Sequence, residues 1–361
     1  MWKPLVFAGM GVGVICFIVY GIHFMNYSPS SAPASPVVNT GATATQTARP
    51  TATQTPKTAA ASNVTINVQP VQPPRSPDAI SITSFGTTHA ALKWSGGLNA
   101  TEYAVYRATQ PNFAKARLVA RVQGSTYQDA GLTPGITYFY WVAAENGSGT
   151  AQPTTYAKVT TYDSWAQIES QYANSVVKIT TYTTALGVFG NGVSGTGWIA
   201  PGGYIVTNWH VVHDWNWVID VYDQAGNKYH AKIVKLDKSH DLALLQFIGQ
   251  APTLPALPIG GTVQVGQAIG IFGHPGGEAL TLTTGTVTET GVSETVTVPD
   301  SPDLQLSNMV QTDAGSVGGN SGSPVFNQWG KVVGIEESGS STDGNVNYFV
   351  PVQYLQQWGI Q

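Results

Sequence analysis

An all-β protein is predicted, and three observations predict it. From residue 78 onward, short runs with apolar residues at alternate positions recur between turn-forming residues. Helical spacing is confined to two short stretches, Asp163 to Ala173 and "VQYLQQW" near the C-terminus. The last 190 or so residues hold twelve strand-like runs, a density that favours closed barrels over an open sheet.

Composition narrows the function. The 361 residues suffice for two domains with sizeable cores. Charged residues make up only 10%, against roughly 25% in an average soluble protein, so Thr, Ser, Asn, Gln and Gly must supply the polar surface. From Asp163 to the end, 16 acidic side chains face 6 lysines and no arginine, a balance of −10. Such a surface repels phosphates, and no nucleic-acid partner is expected. Cys16 is the sole cysteine, which excludes an intrachain disulfide.

The elements follow in order. Leu5 to Ile22 carries no charge over 18 residues and follows Lys3. As a helix it would measure about 27 Å, enough to cross a hydrocarbon core. A cleaved signal peptide has a shorter apolar region, about 7–15 residues, and Ala32-Pro33-Ala34 lies too far downstream for its cleavage site. Residues 1–26 are therefore expected to be a retained single-pass anchor in the cell membrane. Lys3 faces the cytoplasm and the remainder lies outside. Residues 27–77, rich in Ser, Thr, Ala and Pro, cannot bury enough surface to offset their chain entropy and are expected to form a disordered stalk.

Residues 78–162 alternate as strands in "AISITSF", "AALKW", "TEYAVYR", "ARLVARV" and "TYFYWVAAEN", with Trp94, Tyr103, Leu132, Tyr138 and Tyr140 as the expected core. Trp94 at a strand end, "YAVYR" and "GLTPGITYFYWVAAENGSG" resemble a fibronectin type III domain. That resemblance implies a β-sandwich serving as a spacer, with a protein or carbohydrate ligand as the alternative.

Chemistry is concentrated in residues 163–361. Ser321 lies in the glycine-rich turn of "QTDAGSVGGNSGSPVFN". A serine hydroxyl is a poor nucleophile unless an imidazole takes its proton and a buried carboxylate orients that imidazole. His210 ends the apolar run "YIVTNWHVV", and Asp241 opens "DLALLQF". The backbone N–H groups of Gly319 and Ser321 have the spacing of an oxyanion site, where glycine allows a tight turn. Each residue alone has an ordinary structural reading. His213, three residues from His210, has no companion ligands at metal-binding spacing, so neither metal nor cofactor is expected. His230, His240 and His274 read as surface or loop residues.

Taken together, these motifs resemble the trypsin-like serine peptidases of the HtrA/Deg type. The resemblance rests on "GTGWIAPGGYIVTNWHVV", "DLALLQF", "VGQAIGIFGHPGG" with "LTTGTVTETGV", "QTDAGSVGGNSGSP" and "VNYFVPV". It implies a chymotrypsin-like double β-barrel, roughly Ser175–Gly249 and Leu257–Val352. Ser321 would be the nucleophile, His210 the general base and Asp241 the orienting carboxylate, acting on protein or peptide substrates outside the cytoplasm. Ser323 stands where the family usually has a second glycine, and "GGNSGSPVFN" also resembles the glutamyl endopeptidases. Gly315, Ser316 and Val317 before the nucleophile and Glu336 after it are the expected substrate-binding residues. Glu336 and Glu337 disfavour an acidic side chain at the cleaved position, so a neutral, small or medium aliphatic residue is expected. A basic one becomes the alternative if Glu336 points inward. The rival functional class is a non-catalytic surface protein that uses the same scaffold only to bind.

Overall fold

Alternation along the sequence becomes antiparallel pairing in space. The computed structural model describes residues 69–183, 193–213, 217–298, 301–337 and 346–361. The predicted anchor, residues 1–26, and residues 27–68 of the stalk lie outside the described residues. Among the described residues no helix is long and apolar enough to cross a membrane.

The N-terminal module has two sheets. Strands β1 (Pro77–Phe85), β2 (His89–Gly96) and β5 (Thr126–Ala130) form one. The other contains β3 (Glu102–Ala108), β4 (Arg117–Val122), β6 (Thr137–Asn146), β7 (Gly149–Thr150) and β8 (Ala157–Thr160). Trp94, Leu132, Tyr138 and Tyr140 are buried between them with Leu92 and Val105. Tyr103 stays at the rim, its ring edge-on to Trp94 at 5.5 Å. The last residues of the predicted stalk are not free. Asn146 Nδ2 donates to the Gln72 carbonyl at 2.7 Å, and the Arg75 N–H donates to the Leu98 carbonyl at 2.9 Å. Side chains and carbonyls of loops thus capture an extended proline-rich segment, a contact that alternation in the sequence does not signal.

Residues 162–172 join the module to the barrels. The Tyr162 ring packs edge-on against Trp329 at 4.8 Å, and the Asp163 N–H donates to the Gln328 carbonyl at 3.0 Å. Helix α1 (Trp165–Tyr172) begins at Ser164, which forms a capping box with Gln167. Its end stacks Tyr172 on Phe326 at 5.6 Å.

Twelve strands follow in two closed antiparallel barrels. The first orders β10 (Val193–Ala200), β11 (Tyr204–Thr207), β14 (Leu242–Ile248), β13 (Lys228–Asp237), β12 (Trp217–Tyr222) and β9 (Val176–Thr183). The second orders β15 (Ala268–Gly273), β16 (Thr281–Val296), β17 (Leu304–Thr312), β20 (Asn347–Pro351), β19 (Val332–Glu337) and β18 (Pro324–Asn327). Closure leaves no unpaired edge. Ile179, Ile205, Val221 and Leu245 fill the first barrel, and Ile271, Val310, Val325 and Phe349 the second. A third cluster contains Trp198, Val206 and Leu242 from one barrel with Phe272, Phe326 and Val350 from the other. Burying these side chains together fixes the barrels side by side. The run "VQYLQQW" winds as a 3₁₀ turn, Val352–Trp358, between Pro351 and Gly359, which has φ 77°.

Candidate active site

The loop after β11 is built around Asp241. Its carbonyl accepts from Asn208 Nδ2 at 2.9 Å and from the Trp209 N–H at 3.0 Å. One carboxylate oxygen accepts the His210 N–H at 2.9 Å, and the other lies 2.8 Å from His210 Nδ1. These bonds curl residues 209–212 into a single helical turn, α2 (Trp209–Val212), so His210 sits on that turn and not at the strand end. The β-branched Val211 and Val212 favour a strand locally, and the tertiary hydrogen bonds override them. Asp241 itself has φ 52°, in the left-handed region. Aspartate tolerates this better than most residues.

Asp241 is fully buried, and its two oxygens are committed to His210. With Nδ1 as the donor, Nε2 is the basic nitrogen. Burial alone would lower the imidazole. The charge and hydrogen bond of Asp241 hold it above its ordinary value, and Glu337 adds to the rise when it is ionised.

Ser321 is 6% exposed in a turn closed by Asn320 N–H to Val317 O at 3.1 Å and Ser323 N–H to Asn320 O at 2.8 Å. The Ser321 carbonyl accepts from the Thr196 N–H at 2.8 Å, which attaches the turn to the first barrel. Gly322, with φ +88°, lies so close to Thr196 and Thr207 that a Cβ would collide with both.

The preceding peptides are equally constrained. The Gly318 carbonyl accepts from the Gly276 N–H at 2.7 Å, and the Gly319 carbonyl accepts from the Thr196 hydroxyl at 2.8 Å. A trans peptide places N–H opposite C=O, so the Gly319 N–H points away from Gly276. Gly319 has φ +100°, and a Cβ there would strike the His274 carbonyl. Thr196 and the loop His274–Gly277 therefore hold this turn, a role that sequence reasoning missed. His274 is buried, unlike the surface or loop histidine expected. Burial first, and Lys178 second, push its imidazole down to about 4. His230 pairs with Asp220 and His240 with Asp237, while His213 stacks on Trp209 at 4.6 Å.

The expected substrate-binding residues divide. Val317 is 58% exposed, whereas Glu336 is fully buried and turned inward beside the Ser316 hydroxyl. Desolvation raises its carboxyl well above the usual range and so disfavours its ionised form. This weakens both the like-charge argument against acidic substrates and the attraction for a basic one. Glu337 was not singled out as a site residue. Its carboxyl, the Asp241 carboxylate and a His210 ring nitrogen lie within 4.8 Å of one another. Among the described residues these groups are also close enough to share a cation. The His210–Asp241 bonds account for the closeness of those two groups but not for that of Glu337.

Residues 194–335 match the trypsin-like peptidase domain family. DegP-like serine endoproteases are among its relatives. The probable periplasmic serine endoprotease DegP-like of Chlamydia trachomatis is 36% identical over 166 residues, 44% of this chain and 31% of that protein. The magnetosome formation protease MamE of Paramagnetospirillum magneticum is 36% identical over 165 residues, 44% of this chain and 22% of that protein. The match thus spans less than a third of either relative's length. Among solved structures, the serine endoprotease from Yersinia pestis is 29% identical and covers 54% of this chain and 64% of its own, with a TM-score of 0.44.

Proposed function

We propose that the protein is a serine endopeptidase in which Ser321 attacks the scissile carbonyl. His210 Nε2 takes the hydroxyl proton and returns it to the leaving amine, and water then resolves the acyl-enzyme through the same base. Asp241 keeps the proton on Nδ1 and stabilises the transient imidazolium. The N–H groups of Gly319 and Ser321 hold the oxyanion.

The observation that carries this reading is the double engagement of Asp241 with His210, through its main-chain N–H and its ring nitrogen. A histidine held only for packing needs no such alignment. The nucleophile turn is bonded to the same barrel through Thr196, which supports a shared site. The proposal extends to a single-pass anchor in residues 1–26, a catalytic domain outside the cytoplasm, and unfolded or surface proteins as substrates. The two-sheet module, by its sandwich architecture and lack of a catalytic constellation, is proposed as a fibronectin type III spacer.

A fluorophosphonate probe applied to the full chain in detergent tests the chemistry, with casein as substrate. Labelling and hydrolysis should both vanish in Ser321→Ala. Labelling that persists in this variant would place the nucleophile elsewhere. A folded parent that neither labels nor cleaves would favour the binding-only protein.

A further inference from the structure

Strand β19 brings two consecutive carboxyls into the interior. The strand is bonded to the nucleophile turn: the Gly322 N–H donates to the Glu336 carbonyl, and the Glu336 N–H to the Ser323 carbonyl, both at 2.8 Å. Its last residue, Glu337, pairs with Tyr348 on β20. The Glu337 side chain is fully buried, and neither carboxyl oxygen closes a hydrogen bond. A buried acid without a bonded partner is costly, and this one lies against His210 and Asp241. Those two residues belong to the first barrel and Glu337 to the second.

We propose that Glu337 is a positioning residue of the peptidase site, forming with His210 and Asp241 one buried unit that spans the two barrels and titrates together. The inference rests on the peptidase reading above. Asp241 accepts two N–H groups from His210, so its charge is fixed by its bonds. A second carboxylate this close in a dry setting does not ionise beside it, and the proton belongs to Glu337. Burial raises the Glu337 carboxyl to about 8, with Asp241 and Glu294 adding to the rise and His210 opposing it. The ionisable groups facing it are His210 on α2, Asp241 before β14, Glu294 on β16 and its neighbour Glu336. In the resting site Glu337 is a neutral acid. When His210 gains the Ser321 proton, the imidazolium favours ionisation of Glu337, so each group's titration depends on the other's.

The test compares Glu337→Gln, which keeps the shape and removes the titration, with Glu337→Ala. The His210 ring resonances are followed against pH by NMR in the full chain carrying Ser321→Ala, which requires no peptidase activity. The parent should show two inflections, the upper one near 8, and Glu337→Gln should lose it. In the active chain, kcat should fall roughly threefold in Glu337→Gln and roughly thirtyfold in Glu337→Ala, with KM changed less than about twofold. The upper step should also leave the pH profile of the glutamine variant. A folded Glu337→Gln protein with the parent's His210 titration overturns the proposal. So does a glutamine variant that is no more active than the alanine variant. If Glu337→Ala does not fold, the glutamine titration decides alone. An inactive parent with the expected two-step titration would refute the peptidase reading and leave the coupling intact.

Discussion

The N-terminal module and the candidate active site treat buried acids in opposite ways. In the module, Asp129 meets Arg107 at 2.6 Å and Glu145 meets Arg121 at 2.7 Å. Asp129 also accepts the Tyr140 hydroxyl at 2.8 Å. At that site Asp241 is answered by the main-chain N–H and the imidazole of His210, Glu336 has only the Ser316 hydroxyl beside it, and among the described residues the Glu337 carboxyl closes no hydrogen bond. Elsewhere in the first barrel a buried acid is paired, Asp220 with Lys228 at 2.7 Å. The module's acids are compensated charges that fix a fold. Those of the site have no such cation beside them, and the stability they confer depends on pH.

The largest break in this contrast should come from removing the charge of the one ionised acid at the site. Asp241→Asn should lower kcat about 10⁴-fold, because the amide favours the wrong imidazole tautomer. Circular dichroism should show the fold retained, and a loss below tenfold would remove Asp241 from the triad. In the module the converse holds. Arg107→Ala leaves Asp129 buried without its cation and should destabilise the chain by about 3–5 kcal/mol, with kcat unchanged in the folded fraction. Urea unfolding measures the first and burst-free kinetics the second. A change under 1 kcal/mol would mean that Tyr140 and water suffice for Asp129.

The unpaired glutamates sharpen the comparison through pH. Their folded-state carboxyls titrate above the ordinary value, Glu337 at about 8. The folded state therefore binds protons more tightly, and the stability contributed by Glu337 is full below about pH 4.5 and lost as pH rises toward 8, at about 1.4 kcal/mol per unit. The melting temperature should fall between pH 5 and pH 8, and Glu336→Gln should flatten that slope. An unchanged slope would show that Glu336 is already ionised. Activity should follow the opposite sense, because His210 must be neutral to act as base. Its raised value places the acid-side loss of kcat/KM above pH 6.5, and a midpoint below 6 would contradict the Asp241 interaction. The smallest effect concerns the cleaved position. A peptide panel should favour neutral aliphatic residues, and Glu336→Gln should shift preferences only a few-fold because the amide keeps the size and burial of the carboxyl. Sites dominated by Lys or Arg would mean that substrate binding ionises Glu336.

The parts of the site visible in sequence were those set by local chemistry. Ser321, His210 and Asp241 each read alone as ordinary turn or strand-end residues, and only their motifs taken together, in the order His, Asp, Ser, singled them out. The alternating runs likewise gave the strands of both barrels. What escaped depends on contacts distant in sequence. The helical turn under His210 exists because Asp241, 31 residues later, bonds its backbone. Thr196 supports Gly319 from 123 residues away. The sequence left the direction of Glu336 open, and β19 is buried on both faces, with Glu336 beside Ser316 and Glu337 against His210.

The joint between module and barrels has a mechanical consequence. Tyr162 against Trp329, Asp163 bonded to Gln328 and α1 stacked on Phe326 leave no slack chain between the two. Trp329 and Phe326 lie on and beside β18, directly after the turn that carries Ser321. A pull or tilt applied to the module would thus load the nucleophile's own strand, as on a lever arm. Paired fluorophores on Lys93 and Lys331 would report a fixed separation if the lever is stiff, and a broad distribution would show a hinge.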